Sequence, residues 1–325
     1  MIHRKLDSSQ IEAKLEALKT APWLGSASNW WPHFVFHFTD IQNVVSILTS
    51  GRLLARSQCA IATDIASADV IANTSDTCKD HVRLYFRPRT PTQYHNEGIR
   101  PQGGRSPLNA HCPVPVFLLF DAKDVLTRNS TCFSEGNLAA NSSVGNDSAY
   151  FALIPFEKVY HEGPLGDAEK RSIVFHRHAE VLVPNEMDLS SIKHIICRSE
   201  AETETLRNLL RADVRQKFDG MICEARRANL FFRRWTFVET ASLEQQRVVI
   251  NFNPSTQSAG PLAAHLSVTN LATGATYKWE NAAYFASGTL VVGIPQLTEP
   301  APYIATLTLD GATAFAGRFN ANPMF

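Results

Sequence analysis

The sequence lacks the residue patterns that mark the commonest enzyme classes, zinc sites and disulfide frameworks. Its six cysteines include no CxxC pair, which argues against a zinc ribbon and against a set of disulfides. We interpret them as reduced, buried thiols, and we expect no metal ion. The chain contains no GxGxxG, Walker, GxSxG or HExxH motif, so the commonest enzyme signatures are absent. The combination of HxE with PCxxC that defines zinc deaminases is absent as well.

A net charge and long apolar runs are also missing. Lys plus Arg and Asp plus Glu both number 31, so any attraction to nucleic acid has to come from a local basic face. No apolar run is long enough to cross a membrane, and the N-terminal stretch lacks the apolar core of a signal peptide. We therefore expect a cytoplasmic protein with no membrane partner. With 325 residues, of which 44% are hydrophobic, the chain is long enough for two domains.

The pattern of predicted secondary structure changes near residue 245. From about residue 33 to 240, strand-like runs such as FVFHF and AEVLVP alternate with polar or helical segments, which is typical of a mixed α+β domain. Apolar residues at helical spacing predict a docking helix over residues 9–19 and a second clear helix over 200–214. After 245, short strand-like runs separated by turns predict a small all-β sandwich. We place the two domains at residues 1–243 and 244–325.

The stretch HFVFHFTDIQNVVSILTSGRLLAR, residues 33–56, begins as a strand and becomes a helix within two residues. Thr39 followed three residues later by Gln42 predicts a capping box at the helix start, and Gly51 suits the left-handed residue after the last turn. A capping role for Thr39 leaves the presence of a histidine at position 37 unexplained. This histidine lies on the strand face opposite to the phenylalanines, so that face is a candidate pocket wall. The alternative is a purely structural histidine.

A second stretch, VRLYFRPRTPTQYHNEGIRP at residues 82–101, interleaves arginine with aromatic rings. An amphipathic strand is followed by Pro88 and Pro91, which force an extended exit. Guanidinium forks and stacking rings in one segment suit phosphates and splayed bases. The residues concerned are Arg83, Tyr85, Arg87, Arg89, Tyr94, His95 and Arg100. The alternative is a solvated edge strand, since charges and prolines also protect the edges of sheets.

A third stretch, EKRSIVFHRHAEVLVP at residues 169–184, places Glu180 where an apolar strand begins, directly after a run of basic residues. A carboxylate at the mouth of a buried strand near cations is well placed to be ionised and directed into a cleft. Glu180 is therefore the acidic candidate for a site, although one acidic residue alone defines no reaction.

Together the three stretches resemble the DarT family of DNA-modifying ADP-ribosyltransferase toxins. The family patterns His-x-Thr-x-x-x-Asn, Tyr-Phe-x-Pro-Arg-x-Pro-x-x-Tyr and Arg-x-Ala-Glu occur here in order, over roughly residues 33–200. The resemblance implies an ADP-ribosyltransferase-like fold, NAD as donor, and transfer of ADP-ribose to a base of single-stranded DNA. It also implies a macrodomain antitoxin, DarG, that reverses the modification, and we expect a monomer. The C-terminal β module lies outside the resemblance.

Matched residue by residue, the resemblance assigns the catalytic role to Glu180. A carboxylate beside the ribose stabilises the positive charge that develops when the glycosidic bond breaks, and it can accept a proton from the attacking base. The residues matched to the NAD pocket are His37, Thr39, Asn43, Tyr85 and Phe86, of which the first two face the nicotinamide half. The candidates for contact with DNA phosphates or bases are Arg83, Arg87, Arg89, Tyr94 and His95.

One feature of the family is missing from this chain. Family members carry an essential arginine between the first helix and the Tyr-Phe strand, whereas Ser57–Asp80 contains none. Asn73 lies near the place where that motif would fall. The candidates to replace the arginine are Arg52, Arg56, Arg83 and Arg87. The departure leaves the target base open between thymine and guanine, and it leaves RNA open as a target.

Two classes of function remain open on the sequence. One is an active transferase acting on DNA, RNA or protein, and the other is a catalytically silent module that binds NAD or nucleic acid. The joint presence of His37, Thr39 and Glu180 favours the transferase, since a silent module need not keep a carboxylate among apolar residues at a cost in desolvation.

The C-terminal β module has few charges of either sign. Its only cations are Arg247, Lys278 and Arg318, which makes it a weak candidate for binding nucleic acid by itself. Its aromatic residues suit core packing or contact with a partner protein, and we favour core packing. We expect truncation after residue 243 to keep transfer to DNA and to lower solubility or partner binding.

Overall fold

The computed structural model describes residues 3–59, 79–101, 103, 110–225, 228–254, 256–257, 260–297 and 301–321. Within them, the helices are α1 (Ser8–Lys19), α2 (Ile41–Ser50), α3 (Pro91–Asn96), α4 (Ala122–Leu126), α5 (Ser148–Leu153), α6 (Phe156–Val159), α7 (Asp167–His176), α8 (Glu200–Leu209) and α9 (Ala212–Phe218). The strands are β1 (Phe34–Asp40), β2 (Arg52–Leu54), β3 (His81–Tyr85), β4 (Pro115–Asp121), β5 (Cys132–Ser134), β6 (Val144–Gly145), β7 (Glu180–Pro184), β8 (Glu186–Asp188), β9 (Ile192–Cys197), β10 (Ile222–Glu224), β11 (Val238–Glu244), β12 (Arg247–Phe252), β13 (Leu262–Asn270), β14 (Thr276–Tyr284), β15 (Thr289–Gly293), β16 (Tyr303–Leu309) and β17 (Ala312–Phe319).

A mixed sheet organises the first part of the chain, in the strand order β10-β9-β4-β1-β3-β7-β5-β6. Its neighbouring strands run antiparallel except for β9 and β10, which are parallel. Strand β1 lies inside this sheet, with β4 on one side and β3 on the other. The sheet with its helices confirms the α+β class. Because β1, β3 and β7 are neighbours, His37, Tyr85 and Glu180 come from adjacent strands although they are far apart in the sequence.

Helix α1 docks through the residues that its apolar spacing predicted. Ile11, Leu15 and Leu18 are buried. Just before the helix, the Lys5 ammonium group donates to the backbone carbonyl oxygens of Arg128 and Thr131, at 2.5 and 2.6 Å. The N-terminal segment is thereby fixed to the connection between α4 and β5, which confirms its structural role.

Helix α2 begins one residue later than the predicted capping box requires. Its N-cap is Asp40, whose carboxylate accepts the backbone N–H of Gln42 at 3.0 Å and also holds the loop before β4. The capping role expected for Thr39 is therefore wrong. Its hydroxyl instead accepts a hydrogen bond from the Asn43 side-chain amide at 3.0 Å. Gly51 follows the last turn with φ of 72°, which confirms the predicted left-handed cap.

The second predicted helix is divided in two. Helix α8 ends at Leu209 and α9 begins at Ala212, because Leu210 and Arg211 between them have ψ angles of 139° and 153°. A single helix over 200–214 was therefore wrong, since an extended backbone cannot continue an α-helix. In the described part of the chain, no helix is long and apolar enough to span a membrane.

The C-terminal part forms two antiparallel sheets, with the strand orders β11-β12-β15 and β14-β13-β16-β17. The strands expected after residue 245 are all present. Strand β11 also belongs to these sheets, because it pairs with β12, so the first of them begins at Val238; the domain boundary at 244 stays a prediction. The Tyr303 hydroxyl on β16 donates to the Glu244 carbonyl oxygen on β11 at 2.6 Å. This bond joins the two sheets, as expected for a sandwich.

Strand β17 covers helix α8 of the first part of the chain. The backbone N–H of Ala316 donates to the Thr205 hydroxyl at 3.0 Å, and both residues are buried. Phe315 is also fully buried. A Cβ atom added at Gly317 would lie 2.8 Å from a Glu204 carboxylate oxygen, so the strand approaches the helix closely. The C-terminal sheets are therefore packed against the first domain and do not hang from a linker.

Candidate active site

A buried carboxylate paired with an arginine lies at the centre of the mixed sheet. Glu180, the first residue of β7, is only 1% exposed. Arg83 on the neighbouring strand β3 donates to both carboxylate oxygens, from Nε at 2.5 Å and from Nη2 at 2.6 Å. The backbone N–H of Glu180 donates to the Ser134 hydroxyl on β5 at 3.0 Å. This two-pronged geometry fixes the plane of the carboxylate and compensates its charge in a site where an unpaired charge is costly.

His37 on β1 lies on the far side of Arg83 and is uncharged at neutral pH. Its Nδ1 is 3.2 Å from the Arg83 carbonyl oxygen. Because a carbonyl oxygen only accepts, Nδ1 carries the proton and Nε2 keeps its lone pair. Burial lowers the pKa of His37 to about 4. The ring is therefore a neutral hydrogen-bonding group at the edge of the site.

Two further titratable side chains, those of Tyr85 and His178, lie near Glu180. Tyr85 lies directly opposite Glu180 in the register of β3 and β7. Burial and then the charge of Glu180 raise the pKa of Tyr85 well above its usual range, so it stays a phenol. His178, two residues before Glu180, uses Nδ1 to bond the Val174 carbonyl oxygen at 2.9 Å, and burial lowers its pKa. In the sequence, His178 is one member of the basic run before Glu180, and its place inside the Arg-x-Ala-Glu pattern is the signal that could have singled it out.

Thr39 and Asn43 bond to each other beside this centre. Thr39 is two residues after His37 on β1, so the two side chains share a strand face. Thr39 is 4% exposed, and its hydroxyl is occupied by the Asn43 amide. The pair is placed next to His37 as the family pattern implies, and its contact with NAD stays a prediction.

The structure buries both Phe86 and Arg87, and it contradicts the DNA contact predicted for Arg87. Phe86 is 1% exposed, and its ring packs on Phe156 with centroids 5.5 Å apart. It is a core residue directly after β3, and its contact with NAD stays a prediction. Arg87 is 2% exposed and donates to the carbonyl oxygens of Val159 and His161, at 3.0 and 2.6 Å. A guanidinium group committed to buried carbonyls is unsuited to DNA phosphates.

Arg83 was predicted to contact DNA, but in the structure its guanidinium group is bound to the Glu180 carboxylate. It was also a candidate for the missing family arginine. Of the other candidates, Arg52 pairs with Glu186 on the strand pair β2 and β8, and Arg56 lies in a short 3₁₀ turn after β2. Asn73 is outside the described residues. Arg83 is thus the candidate that the structure places on the Glu180 carboxylate.

The remaining predicted DNA contacts lie on or beside helix α3. Tyr94 is 40% exposed, His95 is exposed, and Arg89 is half-buried with φ of 57°. The residues Phe232, Arg234 and Trp235 from a later segment surround them. No site residue was predicted in this later segment, although its run FFRRW, residues 231–235, carries the same mixture of arginine and aromatic residues. Among the described residues, no cluster of His, Cys, Asp and Glu could hold a metal ion.

Comparison with known proteins gives a consistent result. The family model described as "ssDNA thymidine ADP-ribosyltransferase, DarT" matches residues 36–223. Proteins named DNA ADP-ribosyl transferase from Mycobacterium tuberculosis and Mycobacterium bovis are 28% identical over 205 residues, which cover 55% of this chain and 83% of each relative. Solved structures of Thermus sp. 2.9 DarT are 18% identical and cover 62% of this chain. The complex with NAD+ has a TM-score of 0.48 over 98% of its chain, and the complex with ADP-ribosylated ssDNA has 0.49 over 97%.

Proposed function

This chain belongs to the DarT family of single-stranded DNA ADP-ribosyltransferases, and we propose that Glu180 is the carboxylate at which ADP-ribose passes from NAD to a DNA base. The observation that carries the proposal is the Glu180 carboxylate itself, buried and held at both oxygens by Arg83. Its neighbours His37 and Tyr85 are both uncharged at neutral pH, as the shifts of their pKa values show. Arg83 is a positioning residue for Glu180 and takes the place of the missing family arginine.

The ion pair with Arg83 leaves Glu180 able to act. Each carboxylate oxygen has two acceptor sites, and Arg83 uses one on each. The remaining sites can hold the hydroxyl groups of the ribose. Transfer breaks the bond from the ribose to nicotinamide and leaves positive charge on the sugar, which a fixed carboxylate stabilises. The attacking base nitrogen loses its proton to the same carboxylate or to water.

The neutral state of His37 suits the donor. The nicotinamide ring of NAD+ is cationic, so an imidazolium at this position would repel it. Burial keeps the ring uncharged across the physiological range, and Nε2 offers an acceptor to the carboxamide group. Thr39 and Asn43, two residues and six residues further along the chain, complete the proposed nicotinamide side of the pocket.

We infer thymine in single-stranded DNA as the target, because the family model that matches this chain is described by thymidine. The test is incubation of the full chain with labelled NAD and with DNA, RNA and protein substrates, followed by mass mapping of the product. Oligonucleotides in which thymine or guanine is the only candidate base separate the two bases. Label found on RNA or protein and absent from DNA would overturn the assignment.

A macrodomain antitoxin of the DarG type, a monomeric state and a cytoplasmic location complete the proposal. The antitoxin follows from the family resemblance, the monomeric state and the location are expectations from the sequence, and no contact in this structure supports any of the three. Coexpression with a macrodomain hydrolase should remove the label from DNA and restore growth of cells that produce the chain. A macrodomain that neither binds the chain nor removes the label would count against a partner of this type.

A further inference from the structure

We propose that a cation–aromatic surface binds the nucleotides that flank the modified base, and that the C-terminal β module holds this surface in place. We call it the flanking surface, and it consists of Arg89, Tyr94, His95, Phe232, Arg234 and Trp235. The inference rests on the proposed function, because it extends the path of the same DNA strand. Half of the flanking surface lies beyond residues 36–223 and thus outside the family match.

Arginine and aromatic side chains alternate along the flanking surface. The Arg89 guanidinium carbon lies 4.7 Å from the centroid of the Phe232 ring, and the Phe232 and Tyr94 rings meet edge to face at 5.1 Å. Arg234 lies 4.2 Å from the centroid of Tyr94 and 5.5 Å from that of Trp235. Rings and planar guanidinium groups in series are what unpaired bases stack on, whatever their identity.

The guanidinium groups of Arg89 and Arg234 are held in place by amide oxygens, which do not neutralise their charge. Arg89 donates to the amide oxygen of Asn229, and Arg234 donates to that of Gln257 at 3.2 and 3.0 Å. Among the described carboxylates, none forms an ion pair with either group. Arg233 is different, because it donates to both carboxylate oxygens of a glutamate at 2.6 and 2.8 Å. The two amide-held arginines are therefore free to pair with phosphates.

Buried side chains couple helix α3 to the segment that carries Phe232. The Glu97 carboxylate, 2% exposed, accepts the backbone N–H groups of Phe232 and Arg233 at 3.0 and 2.7 Å. Gln93 on α3 donates to Glu97 and to the Leu230 carbonyl oxygen, both at 2.8 Å. The two halves of the flanking surface are thus set in one geometry before DNA binds, which lowers the entropic cost of binding.

The β module holds the same segment from its other side. Asn253, which follows β12 and is 2% exposed, accepts the backbone N–H of Phe237 at 2.9 Å and donates to the Trp235 carbonyl oxygen at 3.1 Å. The backbone N–H of Gln257 donates to the Arg234 carbonyl oxygen at 2.7 Å. The module has few cations of its own, and in this arrangement it serves DNA binding by positioning arginines of the first domain.

The flanking surface adjoins the Glu180 site. Tyr85 is opposite Glu180, and Arg89 follows Tyr85 by four residues across the proline-containing exit of β3. His178 lies near both regions: burial is the main cause that lowers its pKa, and the charges of Glu180 and His95 act on it as smaller effects. A strand whose target base reaches Glu180 therefore passes the flanking surface with its neighbouring nucleotides.

The test measures the affinity of the full chain for single-stranded DNA of about 12 and about four nucleotides, each over a series of salt concentrations and without NAD. Arg89→Gln and Arg234→Gln should each weaken binding of the long strand about three- to tenfold. Each should also flatten the log–log salt dependence by about 0.7, the share of one phosphate contact. Binding of the short strand should stay unchanged. Arg318→Gln is the matched control, because Arg318 is exposed and is also held by an amide oxygen, that of Asn320 at 3.0 Å.

A charge-preserving variant distinguishes stacking from simple attraction. Arg234→Lys should keep the salt dependence of the wild type and still lose affinity for the long strand, because an ammonium group does not stack as a guanidinium does. Long-strand affinity that is unchanged in both glutamine variants, or lowered equally by Arg318→Gln, would overturn the inference. Length-dependent binding without any transfer to DNA would support the flanking surface and count against the proposed function.

Discussion

Replacing Glu180 with glutamine keeps the shape of the side chain and removes its charge. In the wild type, both oxygens accept from Arg83 at 2.5 and 2.6 Å. In the variant, one of them becomes an amide group that faces a guanidinium donor. Breaking a buried ion pair costs about 3–5 kcal/mol. Since 28% of the Arg83 side chain is exposed and can regain water, we expect the lower end, about 3 kcal/mol.

The effect on transfer should be separable from this loss of stability. We expect the rate of transfer by folded Glu180→Gln protein to fall at least about a hundredfold, the usual scale for one positioned carboxylate. The double variant Glu180→Gln with Arg83→Gln removes both buried charges, so it should recover much of the stability and none of the transfer. Glu186→Gln is the control, because Glu186 also pairs with an arginine, Arg52, and both of these side chains are exposed.

The assay counts ADP-ribosylated DNA by mass spectrometry and follows thermal unfolding of the same protein samples. Temperatures below the unfolding transition of the weakest variant keep all proteins folded during transfer. Glu180→Gln protein that is folded and transfers within about threefold of the wild type would refute the catalytic role. Transfer restored in the double variant would show that only the uncompensated Arg83 charge had been harmful.

Three further predictions concern the strand that carries His37, the start of α2 and the C-terminal module. The pKa of His37 is about 4 in the folded chain, and its usual value is 6.5. Between pH 6.5 and pH 4 the unfolded chain therefore binds a proton at this histidine that the folded chain does not bind. The free energy of unfolding should fall by on the order of 2–3 kcal/mol over this range. His37→Asn should show a smaller loss of stability in denaturant titrations over this range, and an equal loss would contradict the assignment. Asp40→Ala should cost about 2 kcal/mol through the lost helix cap, and Thr39→Val about 1 kcal/mol, as measured by urea unfolding; the reverse order would restore Thr39 as the cap. Truncation after residue 243 removes β12 to β17 and with them the strand that covers α8. We therefore revise the expectation from the sequence that transfer survives this truncation: the melting temperature should fall and transfer should be lost with it. Phe315→Ala, at about 3–5 kcal/mol, tests the same contact in the full chain. A truncated chain that melts at the wild-type temperature would show that the module is dispensable for stability.

The local features of the fold were largely predictable from the sequence, because they depend on residues close together in the chain. The docking residues of α1, the left-handed Gly51 and the C-terminal strands each follow from spacing or from one residue type. The start of α2 shows where such reasoning fails. Thr39 and Asp40 are adjacent and both can cap a helix, and only the path of the backbone, which turns helical after Asp40, decides between them.

The candidate site was predictable as a set of residue types and not as a set of contacts. Arg83 and Glu180 meet because β3 and β7 are neighbours, and the pairing of strands so far apart in the chain cannot be read from either stretch alone. Arg87 has the same residue type as Arg83, yet it lies past the end of β3, where the chain turns into the interior. The approach of Phe232 to Arg89 likewise depends on a buried glutamate that holds the two segments together.

The contact between Thr205 and Ala316 can form only late in translation, because β17 is synthesised well after α8. The two residues are 111 positions apart, so a ribosome that adds about 5–20 residues per second makes β17 roughly 5–20 seconds after α8. During that interval the residues of the Glu180 site have been synthesised while α8 lacks the strand that covers Thr205. A nascent chain, or one ended early by a stop codon, therefore offers this face of α8 to chaperones and proteases, and the fully packed transferase exists only when translation has passed β17.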